Sequence, residues 1–198
     1  MLKSVGIFGN VEKKLYLCTI ICVSVRFCVR DAQENVQKVM KEVEIKTKVT
    51  ACFQEELPVE LRELVEVAKT KTQDAYCPYS HYHVGAAALL ADGQVLTGAN
   101  QENAAYPSGL CAERTTLFAA NANNPKTPVT ALAIACYTNG HFTYDPASPC
   151  GACRQVMLET EHRFGQPMKV VLYGERECYV FDSAADLLPV CFTNENLA

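Results

Sequence analysis

Three segments follow one another through the middle of the chain and decide its architecture: Cys111-Ala-Glu-Arg-Thr-Thr-Leu-Phe-Ala-Ala-Asn121, Ala131-Leu-Ala-Ile-Ala-Cys-Tyr-Thr138 and Pro149-Cys-Gly-Ala-Cys153. The first is rich in Ala and Leu and is stopped by Asn123-Asn124-Pro125, so it reads as a helix over 111–121. The second is an apolar run of strand length. A polar loop over 139–149, carrying Gly140, Pro146 and Pro149, then leads into a second helix over 151–163.

Working outward, Pro58 suits the first turn of a helix, and Leu61, Leu64, Val65 and Ala68 recur at i, i+3, i+4 and i+7, which predicts a helix with one apolar face ending near Asp74. Tyr76-Cys-Pro-Tyr-Ser80 reads as a loop. Val84 to Ala91 reads as a buried strand, and Asp92-Gly93 turns it back into a second strand over 94–97. Downstream, strands are expected over 168–173 and 179–181, with a short final helix over 184–188. Helices alternate with the later strands. The expected fold is therefore α/β: a three-layer α/β/α sandwich around a mixed five-stranded sheet, with strands three to five parallel.

With 198 residues, 49% of them hydrophobic and 20% charged, the chain is long enough for one self-sufficient core and too apolar to be disordered. Its charge is unevenly divided. Residues 1–50 hold nine Lys/Arg and five Asp/Glu, a balance of +4, which leaves nine against seventeen, or −8, for residues 51–198. This balance argues against a nucleic-acid track on the main domain, because phosphate binding needs clustered Lys and Arg. A small-molecule partner fits better.

Residues 1–50 form an expected N-terminal extension, and 51–198 the main domain. Lys3, Lys13 and Lys14 precede an apolar run from Leu15 to Val25 that superficially resembles a signal peptide. That run has eleven residues, against about 20 for a membrane span, and no small-residue cleavage site follows it. Met40 opens a charged stretch, so residues 1–39 read as sequence upstream of the true start. The eleven cysteines show no even spacing, and several sit singly in apolar runs, as Cys136 does. A reducing, cytoplasmic compartment is the simplest expectation.

The chemistry concentrates in Cys111-Ala-Glu113 and, 39 positions on, Cys150-Gly-Ala-Cys153. Three thiolates offer zinc three protein ligands and leave a fourth coordination position open, the mark of a catalytic rather than a structural site. Both ligand groups fall at expected helix starts, where unpaired N–H groups favour thiolate. Arg114 and Arg154 are placed to hydrogen-bond ligand sulfurs and offset their charge. Taken alone, Cys150-x-x-Cys153 equally describes a redox pair. Asn100 and Glu102 alone are as well explained as turn residues, and Tyr82 and Phe192 as core aromatics.

Ala75-Tyr-Cys-Pro-Tyr-Ser-His-Tyr-His-Val-Gly-Ala86, Gly98-Ala-Asn-Gln-Glu-Asn-Ala104, Cys111-Ala-Glu-Arg-Thr115, Pro149-Cys-Gly-Ala-Cys-Arg-Gln-Val156 and Asp186-Leu-Leu-Pro189 together resemble the cytidine deaminase family, in its small three-cysteine form. The resemblance runs from about residue 57 to the C-terminus and leaves residues 1–50 without a counterpart. It implies one zinc ion per subunit on Cys111, Cys150 and Cys153, and a zinc-bound hydroxide that attacks C4 of cytosine with Glu113 as proton shuttle. It further implies that Asn100 and Glu102 hold the sugar, that Tyr82, where the family usually has Phe, serves the base, and that Ala112 also binds substrate. Tyr106 and Phe192 are implied to lie at subunit boundaries of a homotetramer with composite sites. The implied activity is conversion of cytidine and deoxycytidine to uridine and deoxyuridine in pyrimidine salvage, with no nucleic-acid or membrane partner.

Two other classes compete with a nucleoside-salvage enzyme: a deaminase for another cytosine-bearing compound, and a non-catalytic zinc-stabilised oligomer. The first shares the ligands and the glutamate. The second has no use for a free carboxylate beside its metal, so Glu113 weighs against it. Ala99, where many relatives carry Cys, and the long loop 139–148 depart from the family pattern.

Overall fold

Successive residues of the two central strands face opposite layers, and this sets the architecture. In β2 (His83–Leu90), Ala86, Ala88 and Leu90 enter one core while Ala87 and Leu89 enter another; in β4 (Val129–Thr138), Leu132, Ile134 and Cys136 join the first and Ala131, Ala133 and Ala135 the second. A strand buried on both sides reads as a continuous apolar run because neither face meets water. The computed structural model describes residues 42–197, with a compact unit that begins at Ile45. Expectations for residues 1–39 lie outside the described residues.

The remaining elements in chain order are β1 (Thr50–Cys52), α1 (Val59–Lys71), β3 (Val95–Ala99), α2 (Ala112–Asn123), β5 (His141–Phe142), α3 (Gly151–Phe164), β6 (Lys169–Leu172) and β7 (Cys178–Phe181). The sheet order is β1-β7-β6-β4-β2-β3, with β5 paired to β4. Helix α1 lays Leu61, Leu64, Val65 and Ala68 on one face of the sheet. Ala112, Leu117 and Ala120 of α2 and Cys153 and Met157 of α3 cover the other, which gives the three layers. Two glycines permit the close fit. A Cβ at Gly85 would lie 2.2 Å from the Ala68 carbonyl oxygen of α1, and one at Gly98 2.6 Å from Thr116 Oγ1 of α2.

Three features differ from the sequence reading. The sheet has seven strands rather than five, because β1 and β5 add to it; with three and two residues they are too short to show alternation. Strand β5 comes from the start of the loop 139–149, where Asn139 and Gly140, at φ 52° and 87°, make a two-residue hairpin turn. Strands β4 and β6 are parallel as expected, but β6 and β7 are antiparallel. Their connection is only residues 173–177, and a parallel return needs a crossover of a dozen or more residues. The final helix is a 3-10 turn over Ala184–Leu187, capped by Ser183 Oγ.

Candidate active site

Cys111 is the N-cap of α2 and Cys150 the N-cap of α3, with Cys153 in the first turn of α3. The two helix starts converge at one end of the sheet, so residues 39 positions apart bring their sulfurs together: Cys111 Sγ is 3.9 Å from Cys150 Sγ, which is 3.4 Å from Cys153 Sγ. All three sulfurs lie within 4.8 Å of one another. A tetrahedral zinc with Zn–S bonds of about 2.3 Å separates its sulfurs by about 3.8 Å, so the cluster fits that ion. Among the described residues no other group of His, Cys, Asp or Glu has such a geometry.

The sulfurs are not electrostatically equivalent. A hydrogen bond from Cys153 holds Cys111 well below the usual thiol range, with Arg114 adding to the effect, and the same pairing together with burial pushes Cys153 far up. Arg114 Nη2 lies 4.0 Å from Cys111 Sγ and donates to the Gly109 carbonyl at 3.4 Å. Arg154, also aimed at the sulfurs by the sequence reading, instead donates to the carbonyls of Pro149 (2.8 Å) and Leu187 (3.0 Å). It ties the loop before Cys150 to the 3-10 turn.

The sulfur cluster opens into a cavity of about 760 Å³ lined by, among others, Tyr82, Asn100, Glu102, Tyr106, Glu113 and Arg114. Glu113 projects from the first turn of α2, is only 5% exposed, and has its carboxyl pKa raised by burial, with the Cys111 charge adding to the rise. Across the cavity, three loop segments are stitched together by main-chain bonds between Tyr76 and Asn100, Glu102 and Tyr76, and Gln101 and Leu110. Asn100 spends its Oδ1 on the Val84 N–H (2.8 Å) and donates through Nδ2 to the Tyr82 carbonyl (2.9 Å), which leaves one amide hydrogen uncommitted. Glu102 accepts from the N–H groups of Tyr79 (2.9 Å) and Ser80 (3.3 Å) through a single oxygen, Oε2. The Ser80 side chain and these N–H groups hold its carboxyl below the usual range.

The 108 residues from 58 to 165 match the family model for the cytidine and deoxycytidylate deaminase zinc-binding region. The chain belongs to the cytidine deaminase family. A cytidine deaminase from Halalkalibacterium halodurans is 40% identical over 134 residues, 68% of this chain and 95% of its own length, and one from Sporosarcina psychrophila is 38% identical over 140, covering 71% and 96%. Among solved structures, cytidine deaminase from Burkholderia pseudomallei superposes with a TM-score of 0.55 at 44% identity, over 66% of this chain and 97% of that one. The Mycobacterium tuberculosis enzyme gives 0.54 at 34%, over 69% and 99%.

Within this cytidine deaminase chain, Cys153 and Ala112 are fully buried behind the cavity wall. Phe192 does not line the cavity and is 57% exposed, and its carbonyl accepts from Gln155 Nε2 at 2.8 Å. The cavity also takes Val84, Ile134 and Cys136 as its apolar floor, with Ala147 and Ser148 of the long loop at its rim, none of which the sequence reading assigned to it. The signal for Cys136 was present: alternation puts it on the same face of β4 as Ile134 and Leu132, the face that α2 covers.

Proposed function

We propose that this chain catalyses hydrolytic deamination of cytidine and deoxycytidine to uridine and deoxyuridine with release of ammonia, in pyrimidine salvage in the cytoplasm. The observation that carries the reading is the buried Glu113 carboxyl beside three convergent sulfurs, facing Asn100 and Glu102 across one cavity. The names of the relatives point to the same reaction.

Cys111, Cys150 and Cys153 would hold one zinc ion. When bound, it supplies Lewis acidity that brings the pKa of water towards neutrality. Glu113 is the proton carrier: its carboxylate takes a proton from the attacking water and delivers it to ring N3, then takes the remaining proton of the oxygen now bonded to C4 and passes it to the C4 amino group, which leaves as ammonia as the C4 carbonyl forms. Burial suits this role, because raising the carboxyl pKa narrows the gap between donor and acceptor states near neutral pH.

Recognition follows from the bonds left over. Asn100 offers its uncommitted amide hydrogen, and Glu102 its carboxylate, to sugar hydroxyls; with bonds to Val84, Tyr82, Tyr79 and Ser80, both are held in place before substrate arrives. Tyr82, which lines the cavity, serves the base, Ala112, buried behind the wall, can reach substrate only through its main chain, and Arg114 offsets thiolate charge. The catalytic domain on this reading is 51–198, with 1–50 an extension. A homotetramer with composite sites accounts for Tyr106, Val190 and Phe192, which are 76%, 79% and 57% exposed in one subunit. Light scattering should return the mass of four 21.8 kDa chains.

The deciding experiment follows the ultraviolet absorbance of cytidine with zinc-loaded protein while measuring ammonia. Stoichiometric conversion to uridine that disappears in Glu113→Ala is the expected result. A folded, zinc-bearing oligomer without turnover would transfer the site to a different cytosine-bearing compound, and the sugar roles of Asn100 and Glu102 would be withdrawn.

A further inference from the structure

Tyr82 is anchored at three points. Its N–H donates to Ser80 Oγ (3.1 Å) and its carbonyl accepts from Asn100 Nδ2 (2.9 Å). Its side chain is half-buried against the core cluster to which Cys136 belongs. The sheet register explains how the two side chains meet. Val84 lies opposite Cys136 in the β2–β4 pairing, so Tyr82, two residues earlier, is the diagonal neighbour of Cys136, within reach of an aromatic side chain on that face. Both side chains line the same cavity and lie close enough for the Tyr82 hydroxyl and the Cys136 thiol to shift each other's ionisation, with Glu113 acting on both electrostatically. Cys136 is only 4% exposed yet lines the cavity.

The floor around the hydroxyl is otherwise apolar, made of Val84 and Ile134. A phenol hydroxyl there without a partner would cost the desolvation of a polar group, and the ring would swing to find one. Cys136 is small and weakly polar, so it supplies the acceptor without bringing water or charge into the cavity. The Glu113 carboxyl, in the same cavity, is a polar group that competes for the hydroxyl.

Resting on the cytidine deaminase reading, we infer that Cys136 is a positioning residue for substrate, locking the ring of Tyr82 against the base side of the cavity so that its hydroxyl stays away from Glu113. Tyr82 and Cys136 then act as a unit. The ligand class is the pyrimidine ring of the nucleoside, and the contribution of Cys136 is made through Tyr82 rather than by contact with the reacting atoms.

The test is a double-mutant cycle on the zinc-loaded full chain: wild type, Cys136→Ala, Tyr82→Phe and the double variant, each assayed with cytidine and checked for zinc content and melting temperature. One hydrogen bond's worth of positioning predicts that Cys136→Ala raises KM about 3- to 10-fold when Tyr82 is present, with a smaller change in kcat. In the Tyr82→Phe background the same change should cost several-fold less, and Cys136→Ser, which keeps an acceptor, should restore most of the loss. Equal KM costs in both backgrounds, or no cost in either, would overturn the inference while leaving the deaminase reading intact. A zinc-loaded wild type that leaves cytidine unchanged overturns the reading, and with it this role in the reaction. Unfolding the same four proteins in urea separates the cases, since coupling in stability reports the Tyr82–Cys136 contact without any turnover.

Discussion

Glu161, on the buried side of α3, accepts a 2.6 Å hydrogen bond from the main-chain N–H of Met168 at the entry to β6. The same carboxylate accepts from Ser183 Oγ (2.9 Å) and from the N–H groups of Ala184 (2.8 Å) and Ala185 (3.2 Å). It thereby caps the 3-10 turn that ends in Leu187, whose carbonyl takes Arg154, which in turn holds Pro149 beside Cys150. One buried carboxylate thus supports the loop that carries Cys150 from behind.

Glu161→Ala leaves the Met168 and Ala184 N–H groups buried without partners, at about 1–3 kcal/mol each. The expected loss of stability is about 3 kcal/mol, with Glu161→Gln intermediate because the amide keeps one acceptor oxygen. Urea unfolding of the zinc-loaded proteins checks both, and an Ala variant as stable as wild type would show that water replaces the carboxylate.

Gly85→Ala tests the packing of α1 on β2. The added Cβ meets the Ala68 carbonyl oxygen at 2.2 Å and the Thr72 nitrogen at 2.6 Å, main-chain atoms that cannot rotate aside. Overpacking of this kind costs about 1–3 kcal/mol and more where backbone must move. A lower urea midpoint is expected, and one unchanged from wild type would mean that α1 shifts freely on the sheet.

The parts legible in the sequence were those with a period or a spacing. The apolar face of α1 at Leu61, Leu64, Val65 and Ala68 and the two cysteine-bearing helix starts are all present where pattern places them. The direction of β7 was not legible from alternation of helices and strands, since the shortness of residues 173–177 is what decides it. Arg154 and Cys136 show the same limit at the site. Being adjacent to a ligand did not point the Arg154 guanidinium at a sulfur, because the Leu187 carbonyl, 33 residues away, was the better acceptor. Cys136 looked like one more small apolar residue until strand pairing brought Tyr82 beside it.

Arg114→Gln tests charge compensation at the ligands. The guanidinium Nη2 lies 4.0 Å from Cys111 Sγ, and its Nε is buried without a hydrogen-bond partner, so the group has been desolvated next to the sulfurs. Removing a partner behind a metal ligand typically costs 10- to 100-fold in metal affinity. Chelator competition should show zinc held about tenfold more weakly in the Gln variant. Equal affinity would confine Arg114 to its bond with the Gly109 carbonyl.

The buried thiol of Cys178 makes stability fall on the alkaline side. Burial is the largest cause that pushes its pKa from 9.0 to about 11, while the Gly174 backbone bond works in the opposite direction. Above pH 9 the unfolded thiol loses its proton while the folded one keeps it, so the folded state binds more protons and unfolding becomes easier as pH rises, until both forms are ionised above about 11. Each pH unit in that window removes up to about 1.4 kcal/mol. Cys136, raised to about 11 by its own burial, adds to the same slope. Urea unfolding at pH 8, 9 and 10 should therefore show stability that is flat below 9 and declines beyond it, and Cys178→Ala should shed part of that decline. A Cys178→Ala slope identical to wild type would place the alkaline sensitivity elsewhere, with Cys136 the first position to substitute next.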